Sequence, residues 1–158
     1  EVFNNIEGTI FLDVNFKNNS GVQVLCSVDD FATNKRLEIW ANSNLINGFI
    51  GGSSSITVGS SNIINGSHKI ALSYKSGNSS FYIDGFLIGS SSSPFTISAL
   101  TKMNLSYLNP AQYSSECPTK EIGYYNTILT DLELETLTSY RTWESMVNEL
   151  NLNIIYNG

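Results

Sequence analysis

Between Ser67 and Gly89 the chain alternates, turns and alternates again, and no other stretch narrows its folding options as much. Ile70, Leu72 and Tyr74 fall on one side of a pleated strand, Ala71 and Ser73 on the other. Lys75-Ser-Gly-Asn-Ser79 has turn chemistry, and Ser80-Phe-Tyr-Ile83 then runs into Asp84-Gly85. Two adjacent residues that tolerate positive φ, set between apolar runs, specify a tight type I′ hairpin leading into Phe86-Leu-Ile-Gly89. A chain built around such a unit must continue as a sheet that covers its apolar face.

The remaining runs supply that sheet. Thr9 to Phe16 alternates, with Ile10, Leu12, Val14 and Phe16 on one face. Val22 to Val28 is apolar at nearly every position, as in a strand covered on both sides. Arg36 to Ala41 sets Leu37 and Ile39 against Glu38 and Trp40. Leu45–Ile50 and Ile56–Val58 are weaker, while Phe95–Leu100, Met103–Tyr107 and Lys120–Tyr125 read as further strands. Many short strands without intervening helices predict an all-β, two-sheet antiparallel sandwich or jelly roll.

The pattern changes at Thr130-Asp-Leu-Glu133, a capping box with Asp131, Glu133 and Glu135 where a helix dipole favours negative charge. A helical segment, or two broken near Ser139, is expected to run to about Leu150. Trp143, Met146, Val147 and Leu150 would form an apolar stripe, covered by the sandwich itself or by other copies of the chain. The 158 residues are read as one domain, with 139–158 a helical and tail extension.

A net charge of −6 with scattered Lys and Arg excludes the basic patch that nucleic acid or an anionic membrane requires. No stretch has the ~20 apolar residues of a membrane-spanning helix, so membrane insertion is not expected. Cys26 and Cys117 are read as free thiols. His68, the only histidine, reads as a surface residue, and it leaves neither a nucleophile triad nor a zinc set.

The best positive candidates are aromatic. Trp40 is out of phase with Leu37 and Ile39, and Tyr82 with Phe81 and Ile83, so both side chains can stand on outer faces. With Asn42 and Asn44 close behind Trp40, they offer stacking planes and amide hydrogen bonds to a sugar. Packing under loops or the C-terminal helix is the competing reading. No cofactor is demanded. Calcium is the one ion with suitable donors, at Asp29, Asp30 and Asp84, although turn and loop roles account for these residues and are preferred.

Three segments resemble a known family. His68–Tyr74 with Phe81-Tyr-Ile-Asp-Gly85 and Gly89 looks like the strand and hairpin of concanavalin A-like and laminin-G-like jelly rolls. Ile122-Gly-Tyr-Tyr through Leu129-Thr-Asp-Leu-Glu-Leu134 is similar to that family's closing strand and short helix. Phe3-Asn-Asn-Ile-Glu-Gly-Thr9 resembles the first strand of such domains in bacteriophage tail fibres and tailspikes. The resemblance implies a jelly roll with sugar or receptor binding in many members, and in several a rim calcium. The expectation is a recognition domain for a surface glycan or host receptor, in a tail fibre or adhesin on a virion or extracellular surface. A homotrimer is one way to cover the C-terminal stripe. Some concanavalin sandwiches hydrolyse glucans with alternating strand carboxylates, and no strand here has them. Asp131-Leu-Glu-Leu-Glu135 sits in the helix, where alternate positions diverge. Catalysis is therefore not expected, and a ligand-free structural or oligomerisation module is the alternative.

Overall fold

The structure, a computed structural model, describes residues 3–18, 21–29, 35–97, 100–105 and 116–139. Alternation becomes sheet as the sequence requires. The strands are β1 (Glu7–Phe16), β2 (Val22–Asp29), β3 (Arg36–Asn42), β4 (Leu45–Gly51), β5 (Ser55–Asn62), β6 (Gly66–Lys75), β7 (Ser79–Ile83), β8 (Phe86–Ser91), β9 (Lys102–Leu105) and β10 (Thr119–Tyr125). They form two five-stranded antiparallel sheets. Sheet I has the order β10-β1-β6-β7-β8, and sheet II the order β5-β4-β3-β2-β9.

The faces turned toward each other hold the core. Ile10, Leu12, Val14 and Phe16 of β1 and Ile70, Leu72 and Tyr74 of β6 pack against Leu37, Ile39, Ile46 and Ile50 of sheet II, all essentially without solvent exposure. Gly48 of β4 lets the sheets close, because the ring of Phe81 from sheet I lies where a Cβ would stand. Cys26 is in this core and Cys117 beside Lys17, both as thiols rather than a disulfide.

Among the described residues of the Phe95–Leu100 run, Phe95, Thr96, Ile97 and Leu100, none belongs to a strand. Pro94 removes a donor at its start, and its amides go to loop side chains: Phe95 N–H donates to Ser76 Oγ and Thr96 N–H to Ser53 Oγ. Phe95, Ile97 and Leu100 are nonetheless buried, so apolar anchoring rather than sheet pairing explains the run.

The helix α1 (Asp131–Thr138) starts on the expected capping box. Glu133 N–H donates to Thr130 Oγ1 at 3.3 Å, and Thr130 N–H to Glu133 Oε2 at 2.8 Å. It ends at Ser139, where a break was foreseen, and lies on the outer face of sheet I with Leu134 against Ala71 and Tyr82. The stripe Trp143, Met146, Val147 and Leu150 lies outside the described residues.

Asp84-Gly85 forms the hairpin at φ +51° and +84°, as a type I′ turn requires. Gly85 has a second duty. Its N–H donates to Thr138 Oγ1 at 3.1 Å, and a Cβ there would strike Ser139 Oγ, so the turn also seats the end of α1.

Candidate functional site

The outer face of sheet II carries polar groups that an ordinary solvent-facing sheet would leave in water. Alternation along β3 puts Arg36, Glu38, Trp40 and Asn42 on this face, opposite Gly51, Phe49, Asn47 and Leu45 of β4. On the other flank Glu38 meets Ser27, and Arg36 meets Asp29, of β2, and β9 adds Asn104 and Lys102 beside Ser27 and Asp29. A bulge between Val24 and Cys26 lets Leu25, Cys26 and Val28 face the core while Ser27 and Asp29 face outward.

Two carboxylates are buried here, Glu38 at 3% exposure and Asp29 at 4%. Carboxylates are almost never buried unless paired. Glu38 Oε2 accepts from Arg36 Nε at 2.7 Å. Asp29 Oδ2 accepts from Ser27 Oγ and from Asn104 Nδ2, each at 3.0 Å. Burial pushes the Glu38 carboxyl above its ordinary range; Arg36 partly offsets this, and the nearby Asp29 charge adds to it. The Arg36 guanidinium lies over the Phe49 ring at 5.1 Å and remains 26% exposed. Among the described residues its carboxylate bond is made through Nε, so the Nη edge of the fork takes no part in it.

Next along β3, Trp40 is half-buried between Val24 and Asn47 in the register of the neighbouring strands. Asn47 is nearly buried and held rigidly, its Nδ2 donating to Leu45 O at 3.1 Å and its Oδ1 accepting from Ser60 Oγ at 2.6 Å. The face thus combines a partly open indole, an oriented amide and a guanidinium braced by a buried carboxylate. Such a surface can stack a sugar ring and bind hydroxyl or carboxylate oxygens.

The residues singled out in the sequence divide. Trp40 and Asn42 share this face, and Asn44 lies in the turn that follows, its carbonyl accepting from Ile63 N–H. Tyr82 does not join them. It is 5% exposed on the opposite side of the sandwich, under Leu129 and Leu134. The helix claimed it because the outer face of sheet I is apolar at Ala71. Arg36, Glu38, Asn47 and Ser27 were not singled out, although the phase of Arg36-x-Glu38-x-Trp40 was visible.

Asp29 and Asp84 do not converge. Asp29 O accepts from Thr101 N–H, and neighbouring Leu100 N–H reaches Asn5 just before β1, whereas Asp84 adjoins His68, opposite Val14 near the other end of β1. Asp84 Oδ2 and Oδ1 are engaged by His68 Nδ1 and Lys69 N–H, the turn role preferred for it. Asp30 lies outside the described residues, and among those described no three His, Cys, Asp or Glu form a metal cluster. His68 is buried rather than on the surface.

No protein-family model matches this sequence, and no curated protein matches it. Solved structures do. The Ruminococcus gnavus sialidase CBM40 domain, bound to α2,3-sialyllactose, superposes with a TM-score of 0.72 at 16% identity, over 87% of this chain and 85% of that one. The fold is shared. The leech intramolecular trans-sialidase matches at 0.73 and 18% identity over 90% of this chain, which spans 24% of the enzyme. The binding domain of botulinum neurotoxin DC, in complex with SialylT, matches at 0.65 and 14% identity over 83% of this chain and 35% of that one.

Proposed function

We propose that this chain is a non-catalytic glycan-binding domain whose sugar site is the outer face of sheet II. The observation that carries the reading is the buried Glu38 bracing an outward-facing Arg36 beside a half-open Trp40. A surface with no ligand has little reason to bury two carboxylates on its solvent side. The solved neighbours support the same class, since two of them hold sialylated ligands by their own descriptions. Arg36 is suited to a sialyl carboxylate and Trp40 to the ring or its acetamide methyl. An extracellular or virion surface, in an adhesin or tail fibre, is the setting this reading takes from the sequence resemblance.

The test is a glycan array probed with the wild type, Trp40→Ala and Arg36→Ala. Binding to sialylated probes is expected, weakened about tenfold by Trp40→Ala, the loss of roughly one stacking contact. Arg36→Ala should reduce sialylated binding selectively. Silence of the wild type across the array would favour a structural module.

A further inference from the structure

We propose that His68 is a pH-sensitive clasp that, as an imidazolium, ties the β5–β6 loop to the β7–β8 hairpin and lets go of one of them when it loses its proton. The geometry is set by the acceptors. His68 points to the inner side of sheet I, in phase with Ile70 and Leu72, and is 9% exposed. Its Nε2 is 2.8 Å from the carbonyl of Ile64, which can only accept. Its Nδ1 is 2.6 Å from Asp84 Oδ2, and an ionised carboxylate can likewise only accept. Both ring nitrogens must therefore carry hydrogen for both bonds to exist, and only the imidazolium does.

Each acceptor belongs to a separate connection. Ile64 lies between β5 and β6, and its side chain is 79% exposed. Asp84 opens the hairpin, before the 72%-exposed Phe86. The Asp84 carboxylate is oriented by Lys69 N–H at 2.9 Å, while Asp84 N–H donates to Lys69 O at 2.9 Å. The hairpin through Gly85 N–H and Thr138, and β6 through Lys69 Nζ and the Ser139 carbonyl, together hold the end of α1. A neutral imidazole would lose one of its two bonds, leaving either the loop or the hairpin untied.

The surrounding charges agree with this reading. Burial alone would lower the His68 pKa; the hydrogen bond and charge of Asp84, with the Ile64 carbonyl, outweigh it and raise the value. Lys69 follows in the chain but faces the outer side, toward Ser139. Across β1, Asp13 is opposite Lys69, paired with Lys120 at 3.8 Å and facing Glu121. These too lie on the outer side, and the strand residue opposite His68 is Val14. A raised folded pKa means that the clasp is complete below the unfolded value of about 6.5 and lost as pH rises through the folded value.

His68 is the only histidine, so one imidazole signal reports it without assignment. Nitrogen-15 NMR of the wild type should show a midpoint above about 6.5, with both ring nitrogens protonated below it. Amide exchange on the released side, at Lys69 and Gly85 for the hairpin or at Asn65 and Gly66 for the loop, with intrinsic base catalysis divided out, should quicken about tenfold across that midpoint. Leu37 and Ile39 in sheet II should show no step. Asp84→Asn should lower the midpoint, and His68→Gln should abolish the exchange step. A wild-type midpoint at or below about 6.5, or level exchange at all four amides across it, overturns the clasp, and neither measurement needs a variant that folds.

Discussion

Gly48 shows how a residue with no side chain can limit a whole core. Its missing Cβ would stand 2.5 Å from Cδ2 of Phe81, a ring fully buried in the opposite sheet with no room to retreat. Gly48→Ala should therefore destabilise the domain by about 1–3 kcal/mol, measured by urea unfolding. Adding Phe81→Leu should recover part of that loss, and a purely additive double mutant would show that the two do not meet. Nothing near Gly48 in the chain discloses its partner, because the contact is made across the sandwich. The same limit explains the candidate site. The outward phase of Trp40 and Asn42 was legible from β3 alone. The burial of Glu38 was not, since it depends on Ser27 and Asp29, which the Val24–Cys26 bulge turns outward. That bulge leaves no clear trace in a run from Val22 to Val28 that is apolar at nearly every position.

Elements were most legible where their chemistry is local. The Asp84-Gly85 turn and the Thr130–Glu133 box each close within four residues, and both form as expected. The capping box can be weighed directly. Thr130→Ala removes the acceptor for Glu133 N–H and should lower stability by about 1 kcal/mol, whereas Thr130→Ser should keep most of it. Thermal melts of both variants check this, and equal losses for Ser and Ala would assign the effect to packing of the threonine methyl instead. Elements failed where burial imitates pairing. Phe95, Ile97 and Leu100 have the apolar spacing of a strand, yet they anchor a crossing from β8 in sheet I to β9 in sheet II. Apolar periodicity reports what is buried, and a loop pinned into a core obeys it as well as a strand does. Tyr82 is the converse case: its outward phase was correct, but α1 covers that face.

At the scale of the molecule, the two outer faces of the sandwich have diverged. Sheet I carries α1 over Ala71 and Tyr82, while sheet II presents Arg36, Trp40 and Asn42. The net charge of −6 acts on any ligand approaching that second face. Locally, Arg36 and Lys102 balance Glu38 and Asp29, so the net negative charge of the chain sets the sign of the distant field. An anionic sugar should therefore be repelled during approach and held only after contact. Salt screens the approach strongly, with a Debye length falling from about 30 Å at 0.01 M to about 8 Å at 0.15 M. It screens the short Arg36 contact much less. The association rate of a sialylated oligosaccharide should thus rise about twofold between those ionic strengths, with a smaller change in the dissociation rate. The asialo oligosaccharide, being neutral, should show no such rise. Stopped-flow or surface-resonance kinetics at pH 7 distinguish the cases. A sialylated on-rate that falls with salt would mean that positive potential governs this face, and the site would then have to be sought where Lys and Arg outnumber carboxylates.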